Sequence, residues 1–412
     1  MSANSNSQPL RPEVSAPSFI HLCRLTDDTG LLEHALGRIP RRREGYTTDD
    51  NARALWTTTE WLSFEDDSIS SEDRSELIRL TDIYLAFMLW TQNEDGWWFN
   101  NFAYNRTLEP EELSHDCQGR SIWACADAWI RLEGAHRETA RIIVERAIPT
   151  IIRIDSHRGQ AFAMATCAHL LEASRDGIIV LSEHMRHELN HHLTRLENIL
   201  NGAFQHFSDD NWRWFEPAMT YSNGVLPWAM LRTYRFTERS ETLNTGIESL
   251  SFLLELMTTD EGWLRPIGNE SWGSSESVSR WDQQPLEMFK LALALEEAAL
   301  AMELSEQSNH AAHLVGSSKG ARSNVIRSDE GYSVMQTKLG QSSLCSGTQF
   351  PYRAIRDLCK AWYYGDNDLQ VPVVDTEDGS CCDGLTKHGP NINCGAEATI
   401  SFLMTEALCR RG

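Results

Sequence analysis

Apolar residues along this chain of 412 residues recur mostly three and four positions apart, and β-branched alternating runs are scarce. That period predicts helices, and the helices fall into pairs. A polar, charged helix leads each pair, and a more apolar helix rich in small residues follows. The predicted pairs are 19–36 with 47–62, 72–91 with 117–131, 137–154 with 160–173, 182–202 with 219–236, 241–258 with 281–304, and 350–364 with 393–408. Second members such as Gly119-Arg-Ser-Ile-Trp-Ala-Cys-Ala and Ala161-Phe-Ala-Met-Ala-Thr-Cys-Ala let backbones approach closely, as an inner ring requires. The charged first members, such as the helix opening at Arg137-Glu138, suit an outer ring.

Six such hairpins predict an all-α fold, an (α/α)6 toroid, as a single domain over 17–412. The polar, Pro/Ser-rich stretch from Met1 to Ala16 is expected to be a disordered leader. The Ser/Gly/Asn-rich segment at about 305–350 is expected to be a poorly patterned insertion. Long loops precede the second helices: Glu94-Asp-Gly-Trp-Trp-Phe-Asn-Asn, Asp209-Asp-Asn-Trp-Arg-Trp-Phe-Glu, Asp260-Glu-Gly-Trp-Leu-Arg-Pro-Ile. A toroid gathers them, with the inner-helix N-termini, on one face, and loops on a rigid scaffold carry function.

Composition removes several classes of function. A formal net charge of −22 repels phosphate backbones and anionic membranes, so no nucleic acid and no membrane is expected as a partner. No apolar run approaches the roughly 18 residues of a membrane span. The N-terminus lacks the basic start and apolar core of a signal peptide. The 10 cysteines are too sparse for a disulfide scaffold in a chain this long. Together these predict a cytoplasmic protein with reduced thiols. Nothing in the sequence fixes the oligomeric state, and no cofactor is called for.

The strongest local signal for chemistry is Gly45-Tyr-Thr-Thr-Asp-Asp-Asn-Ala-Arg-Ala-Leu. Thr48 or Asp49 can cap the helix predicted to start near Asn51. One cap needs one residue, so the second carboxylate is surplus, and mutual repulsion of Asp49 and Asp50 raises one pKa, as a general acid needs. Similar helix starts recur around Asp116 with Arg120, Glu216 with Tyr221, Asp282 with Gln283, and Asp383 with Asn393 and Glu397. Each alone is a plausible cap. Five on one rim, with amides and tryptophans between them, form a toolkit for binding hydroxyls and cleaving acetals. Asp50 and Asp282 are the favoured catalytic pair, with Glu216, Asp116 and Asp49 behind them. Asn51, Arg53, Arg120, Gln283, Asp383, Asn393, Tyr221 and Glu397 are expected to bind the substrate's hydroxyls. Of 14 tryptophans, Trp97, Trp98, Trp214 and Trp281 lie beside polar loop residues and are expected to stack on sugar rings.

A rival signal is His187-Glu188-Leu-Asn-His191, the spacing of a helical zinc-hydrolase motif. Its helix is polar nearly all round and is expected on the outer ring, away from the loop face, so no metal site is assigned. Cys381, Cys382 and His388 do not have the spacing of a standard zinc ligand set either.

The set of motifs resembles a known family. Gly45–Leu55, Gln118-Gly-Arg, Trp214-Phe-Glu, Trp281-Asp-Gln-Gln-Pro, Gly365-Asp-Asn-Asp-Leu, Cys382-Asp-Gly-Leu and Gly395-Ala-Glu-Ala-Thr look like those of mostly bacterial proteins labelled glycosyltransferase-like, which are similar to six-hairpin glycosidases. Some members carry the domain behind a glycosyltransferase. The resemblance runs from about Leu22 to Leu408 and implies an (α/α)6 barrel acting in carbohydrate metabolism, without implying a catalytic pair. Ser222-Asn223-Gly224 stands where the family tends to have Asp-Asn-Ala, so one acidic group is missing. The expected function is processing of an oligosaccharide by paired carboxylates. The alternative is a non-catalytic glycan-binding or glycosyltransferase-associated scaffold module, which the missing acid favours.

Overall fold

The computed structural model describes residues 16–64, 68–314 and 351–411. Its helices are α1 (Ile20–Leu25), α2 (Thr48–Leu62), α3 (Ser71–Thr91), α4 (His115–Arg131), α5 (Gly134–Ala147), α6 (His157–Arg175), α7 (Glu183–Phe207), α8 (Val225–Thr237), α9 (Ser240–Met257), α10 (Pro285–Leu314), α11 (Tyr352–Tyr363) and α12 (Ala396–Arg410). The even-numbered helices close a ring: α2 packs on α4, α4 on α6, α6 on α8, α8 on α10, α10 on α12, and α12 back on α2. The odd-numbered helices lie outside, each leading the inner helix that follows it. This is the (α/α)6 toroid.

Sequence explains which helix goes where. In α4 every residue from Cys117 to Ile130 is buried. In α5 only Ala140, Ile143, Val144 and Ala147 are buried, the single stripe of an outer helix. Glycine permits the tight inner contacts: a Cβ on Gly119 would sit 2.4 Å from the Gly159 carbonyl oxygen, and one on Gly159 would sit 2.3 Å from that of His115. Aromatic rings from five inner helices fill the axis. Trp56 meets Trp123, Trp228 and Phe289 at centroid distances of 5.6, 6.2 and 5.5 Å, and Phe162 meets Trp228 at 5.6 Å. Trp56 lies eight residues into α2, about 12 Å below its start, so the ring is a cup and not a pore. At the far end, ion pairs Arg131–Glu60 and Arg232–Glu172 tie α4 to α2 and α8 to α6.

Four expectations change. The first outer helix stops at Leu25, because Asp27 Oδ1 accepts from the backbone N–H groups of Thr29 and Gly30 and turns the chain. Residues 35–40 then form a small hairpin, Ala35–Leu36 against Ile39–Pro40, with Gly37 at φ +58°. The helix expected at 219–236 starts at Val225, since Ala218–Met219 pairs with Gly273–Ser274. Helix α10 runs through to Leu314, into the segment expected to be an insertion; the rest of that segment and the expected leader to residue 15 lie outside the described residues. Among the described residues no helix is long and apolar enough to cross a membrane, and the nine described cysteines are free thiols. His187 and His191 are exposed on α7, in the outer ring.

Candidate active site

Hydroxyl side chains take the capping work at three inner-helix starts. Thr47 Oγ1 accepts from the Asp50 N–H, Ser114 Oγ from that of Cys117, and Ser156 Oγ from that of Gly159. Neither Thr48 nor Asp49 caps α2, and Asp49, Asp50 and Asp116 are first-turn residues with carboxylates left for other partners.

Asp49 and Asp50 face a cleft of ≈ 360 Å³ at the starts of α2, α10 and α12. Its acidic walls are Glu33, Asp49, Asp50, Asp282, Asp383 and Glu397, joined by His34, Asn100, Gln284 and Asn391. The floor is Arg53. Its Nη1 lies 2.7 Å from Asp50 Oδ1, and its Nη2 lies 2.9 Å from Asp49 Oδ2 and 2.8 Å from Glu397 Oε2. Arg120, buried behind it, pairs with Asp49. Asp50 is full: Oδ1 takes Arg53 and Oδ2 accepts from Thr47 Oγ1 at 3.0 Å. Burial pushes the Asp50 carboxyl up against the pull of Arg53; burial, not Asp49, is the cause.

The opposing wall is different. Asp282 stands three residues before Pro285, the first residue of α10. Its Oδ1 is buried with no hydrogen-bond partner, and burial, then Glu270, raises its pKa. Asp383 Oδ1 accepts from the Gly395 N–H at 2.5 Å, at the cap of α12, and burial raises it too. Glu33 is pushed up to about 7, by burial and then by Asp50, Glu44 and Glu397. His34 Nε2 lies 3.3 Å from Glu33 Oε1. Five residues into α10, about 7.5 Å down, Lys290 is wholly buried, its amine pushed well below the ordinary range by burial and then by Arg120 and Arg53.

Asp116 and Glu216 do not line this cleft. Asp116 accepts from the Tyr221 hydroxyl, from Ser156 Oγ, and from the Gly159 N–H at 3.2 Å. Burial raises the Glu216 carboxyl, but His157 and Arg158 outweigh it and hold it below its usual range; Arg158 Nη1 lies 3.1 Å from Glu216 Oε2. The Tyr221 ring packs under Arg158, 4.9 Å from it. Glu216 also lies nine residues before α8, so it does not open that helix.

Several expected binders are structural. Trp97, Trp98 and Trp214 are 1%, 0% and 0% exposed and have no face to offer a sugar. Trp98 Nε1 donates to the Met88 carbonyl, Trp97 packs under Arg153, and Trp214 packs edge-on against Phe215. Only Trp281 is half-buried, with the Arg280 guanidinium 5.0 Å over its ring. Asn51 is buried and bridges to the backbone of Leu31 and Thr47. Gln283 is buried between Arg280, Asp368 and Trp362. Asn393 accepts from the Gly37 N–H. Their amides are spent on loop architecture.

The sequence reading passed over Glu33, His34 and Glu287. Glu33 was placed on a helix that the Asp27 turn ends, and the Gly37 and Pro40 that follow were the available signal. Glu287 and Lys290 announce themselves as charges inside the apolar run Leu286-Glu-Met-Phe-Lys-Leu. Glu287 accepts from the Ser222 and Asn223 N–H groups and from Asn223 Nδ2, and burial pushes it up to about 7. A carboxylate from α10 thus meets the Ser222-Asn223 turn.

No family model matches the chain, and no curated protein matches it. Solved structures do. A sugar epimerase from a ruminal bacterium aligns with TM-score 0.60 at 9% identity, over 96% of this chain and 95% of that one. A D-mannose isomerase gives 0.59 at 9%, over 94% of each. An inactive variant of the GH76A α-1,6-mannanase from Salegentibacter sp. HEL1_6, with two adjacent aspartates replaced by alanine and in complex with α-1,6-mannotetrose, gives 0.52 at 10%, over 95% of each. This chain shares their six-hairpin toroid fold.

Proposed function

We propose that this chain is a carbohydrate-processing enzyme that acts on a neutral oligosaccharide bound where α2, α10 and α12 begin. One observation carries the reading. The cleft holds two populations of carboxylate: Asp49, Asp50 and Glu397 clustered on Arg53, which opposes the burial that raises Asp50, and Glu33, Asp282 and Asp383, raised by burial with no arginine opposing it. Environments that differ in this way separate an acid from a base. Asp282, half-buried in the cleft wall, is the acid that protonates the leaving oxygen, and Glu33 is a second proton source. Asp50 has both oxygens engaged and positions Arg53, so Glu397 is the base that activates water. Among the described residues the cleft's guanidinium is already shared by three carboxylates, which leaves no cation for a phosphate co-substrate and favours water. The resemblance to glycosyltransferase-like proteins and the sugar-acting neighbours of the same fold support this class of substrate.

The test is a panel of α-1,6-manno-, cello- and malto-oligosaccharides, followed by proton NMR with wild type, Asp282→Asn and Glu397→Gln. Turnover of at least one substrate, lost by about 10²-fold or more in each variant, is expected. Undiminished turnover in both variants sinks the assignment. Binding without any product favours the non-catalytic glycan-binding module. The His34–Glu33 pair at 3.3 Å favours one further reading, epimerisation or isomerisation of a reducing sugar by proton abstraction. Exchange of a sugar C–H proton with D2O in the same spectra identifies it.

A further inference from the structure

A second cavity, of ≈ 530 Å³, opens between the loop leading from α9 into α10 and the turn after α11. Glu261, Trp263, Leu358, Tyr364, Asp366 and Gln370 line it. None of them lines the cleft, and the Gly365-Asp-Asn-Asp-Leu motif, which the catalytic reading leaves unused, forms one wall.

The aromatic groups are fixed in place. Trp263 Nε1 donates to Asp368 Oδ1 at 3.1 Å, and Arg265 grips the same carboxylate through Nε at 2.6 Å and Nη2 at 2.8 Å. The Tyr364 hydroxyl donates to Glu406 Oε1 at 2.7 Å while the residue stays 43% exposed, so its ring is what the cavity meets. The turn is fixed as well. Asn367 Nδ2 donates to the carbonyls of Trp362 and Val371 at 3.0 and 2.8 Å, and its Oδ1 accepts from the Leu369 and Val371 N–H groups. That clamp holds Gln370 at φ +55°, a left-handed conformation that disfavours a non-glycine residue. It leaves Asp366 and Gln370 exposed at the cavity.

The lining selects a ligand class. Arg265 and Arg280 are bound to Asp368 and Lys360 to Glu406, so the nearby cations already have carboxylate partners, and Glu261 and Asp366 disfavour an anionic ligand. Two pre-set ring faces beside two carboxylates and an amide suit a neutral polyol with an apolar face, which is a sugar ring. Asp368 also accepts from Gln283 Nε2 at 2.8 Å, and Gln283 sits between Asp282 and Gln284 of the cleft wall. One carboxylate therefore braces both cavities on the same rim. We infer that this cavity is a separate glycan-binding site, which holds sugar units of an oligosaccharide apart from the cleft. The inference does not depend on the cleft being catalytic.

The experiment is calorimetric titration of the full chain with α-1,6-mannotetraose, cellotetraose and maltotetraose, using wild type, Trp263→Ala and Gln370→Gly. Gln370→Gly removes the amide while easing the left-handed backbone, so it folds even where Trp263→Ala does not. The expected result is a tetrasaccharide that binds wild type, with affinity down at least tenfold in Trp263→Ala and threefold in Gln370→Gly. Wild-type affinity in both rim variants overturns the inference, as does millimolar tetrasaccharide binding to no form of the protein. Wild-type turnover, measured in parallel, reports on the cleft alone: its absence with binding intact defeats the catalytic reading and leaves this site standing.

Discussion

On the side of the toroid where α2, α10 and α12 begin, acidic side chains line an open cleft; on the side where α4, α6 and α8 begin, they are closed in by hydrogen-bond donors. Asp116 is enclosed by Tyr221, Ser156 and Gly159. Glu216 is held by Arg158 and His157. Glu287 is consumed by the Ser222-Asn223 turn. Across the ring, Asp282 keeps a buried oxygen with no partner, and Glu33 and Asp383 are raised by burial with no arginine to oppose it. The helix starts look alike in sequence. What separates them is whether a neighbouring sector supplies donors that close the site. A carboxylate with its donors satisfied locks loops together; one left short of donors has free energy to gain from a ligand.

The largest effects should come from the floor of the cleft. Arg53→Met leaves Asp50 buried without its counter-ion, and a stability loss of about 3–5 kcal/mol is expected in urea unfolding. Asp282→Asn should instead leave the unfolding midpoint near wild type and lower turnover by about 10²–10⁴-fold. Asp116→Ala sharpens the contrast from the other half: the Tyr221 hydroxyl and the Gly159 N–H lose their acceptor, stability falls by about 1–2 kcal/mol, and turnover changes by less than about fivefold. A turnover loss at Asp116 as large as that at Asp282 breaks the comparison. The smallest effect concerns pH. Glu33 is pushed up to about 7, so it is protonated below that value and ionised above it. As a proton donor it makes turnover fall as pH rises through about 7, and Glu33→Gln should remove that limb of the pH–rate profile.

The sequence shows the ring well and the site only in part. Inner helices such as α4 carry small and apolar residues on every side, a pattern only a buried helix tolerates, so their order and pairing are legible from spacing alone. The cluster Asp49, Asp50, Arg53 and Glu397 was also visible, because the i,i+3 and i,i+4 spacing on α2 puts three of its members on one face. Glu33 was not, since Leu31-Leu-Glu-His-Ala-Leu has helical spacing and only the Asp27 side chain turns it toward the rim. Trp97, Trp98 and Trp214 misled for the opposite reason. Polar neighbours placed them in loops, correctly, but a loop folded over the end of a toroid buries its indoles as thoroughly as a helix does. Asp116 and Asp282 are indistinguishable by local pattern, and partners as distant in sequence as Tyr221 decide between them.

Soaking crystals in turn with α-1,6-mannotetraose, cellobiose and mannose, and locating the bound sugar, tests the central claim most directly. The account predicts a sugar ring within hydrogen-bonding distance of Asp282 and Glu397, over Arg53. Sugar bound beside Asp116 and Glu216 with the cleft empty would contradict it.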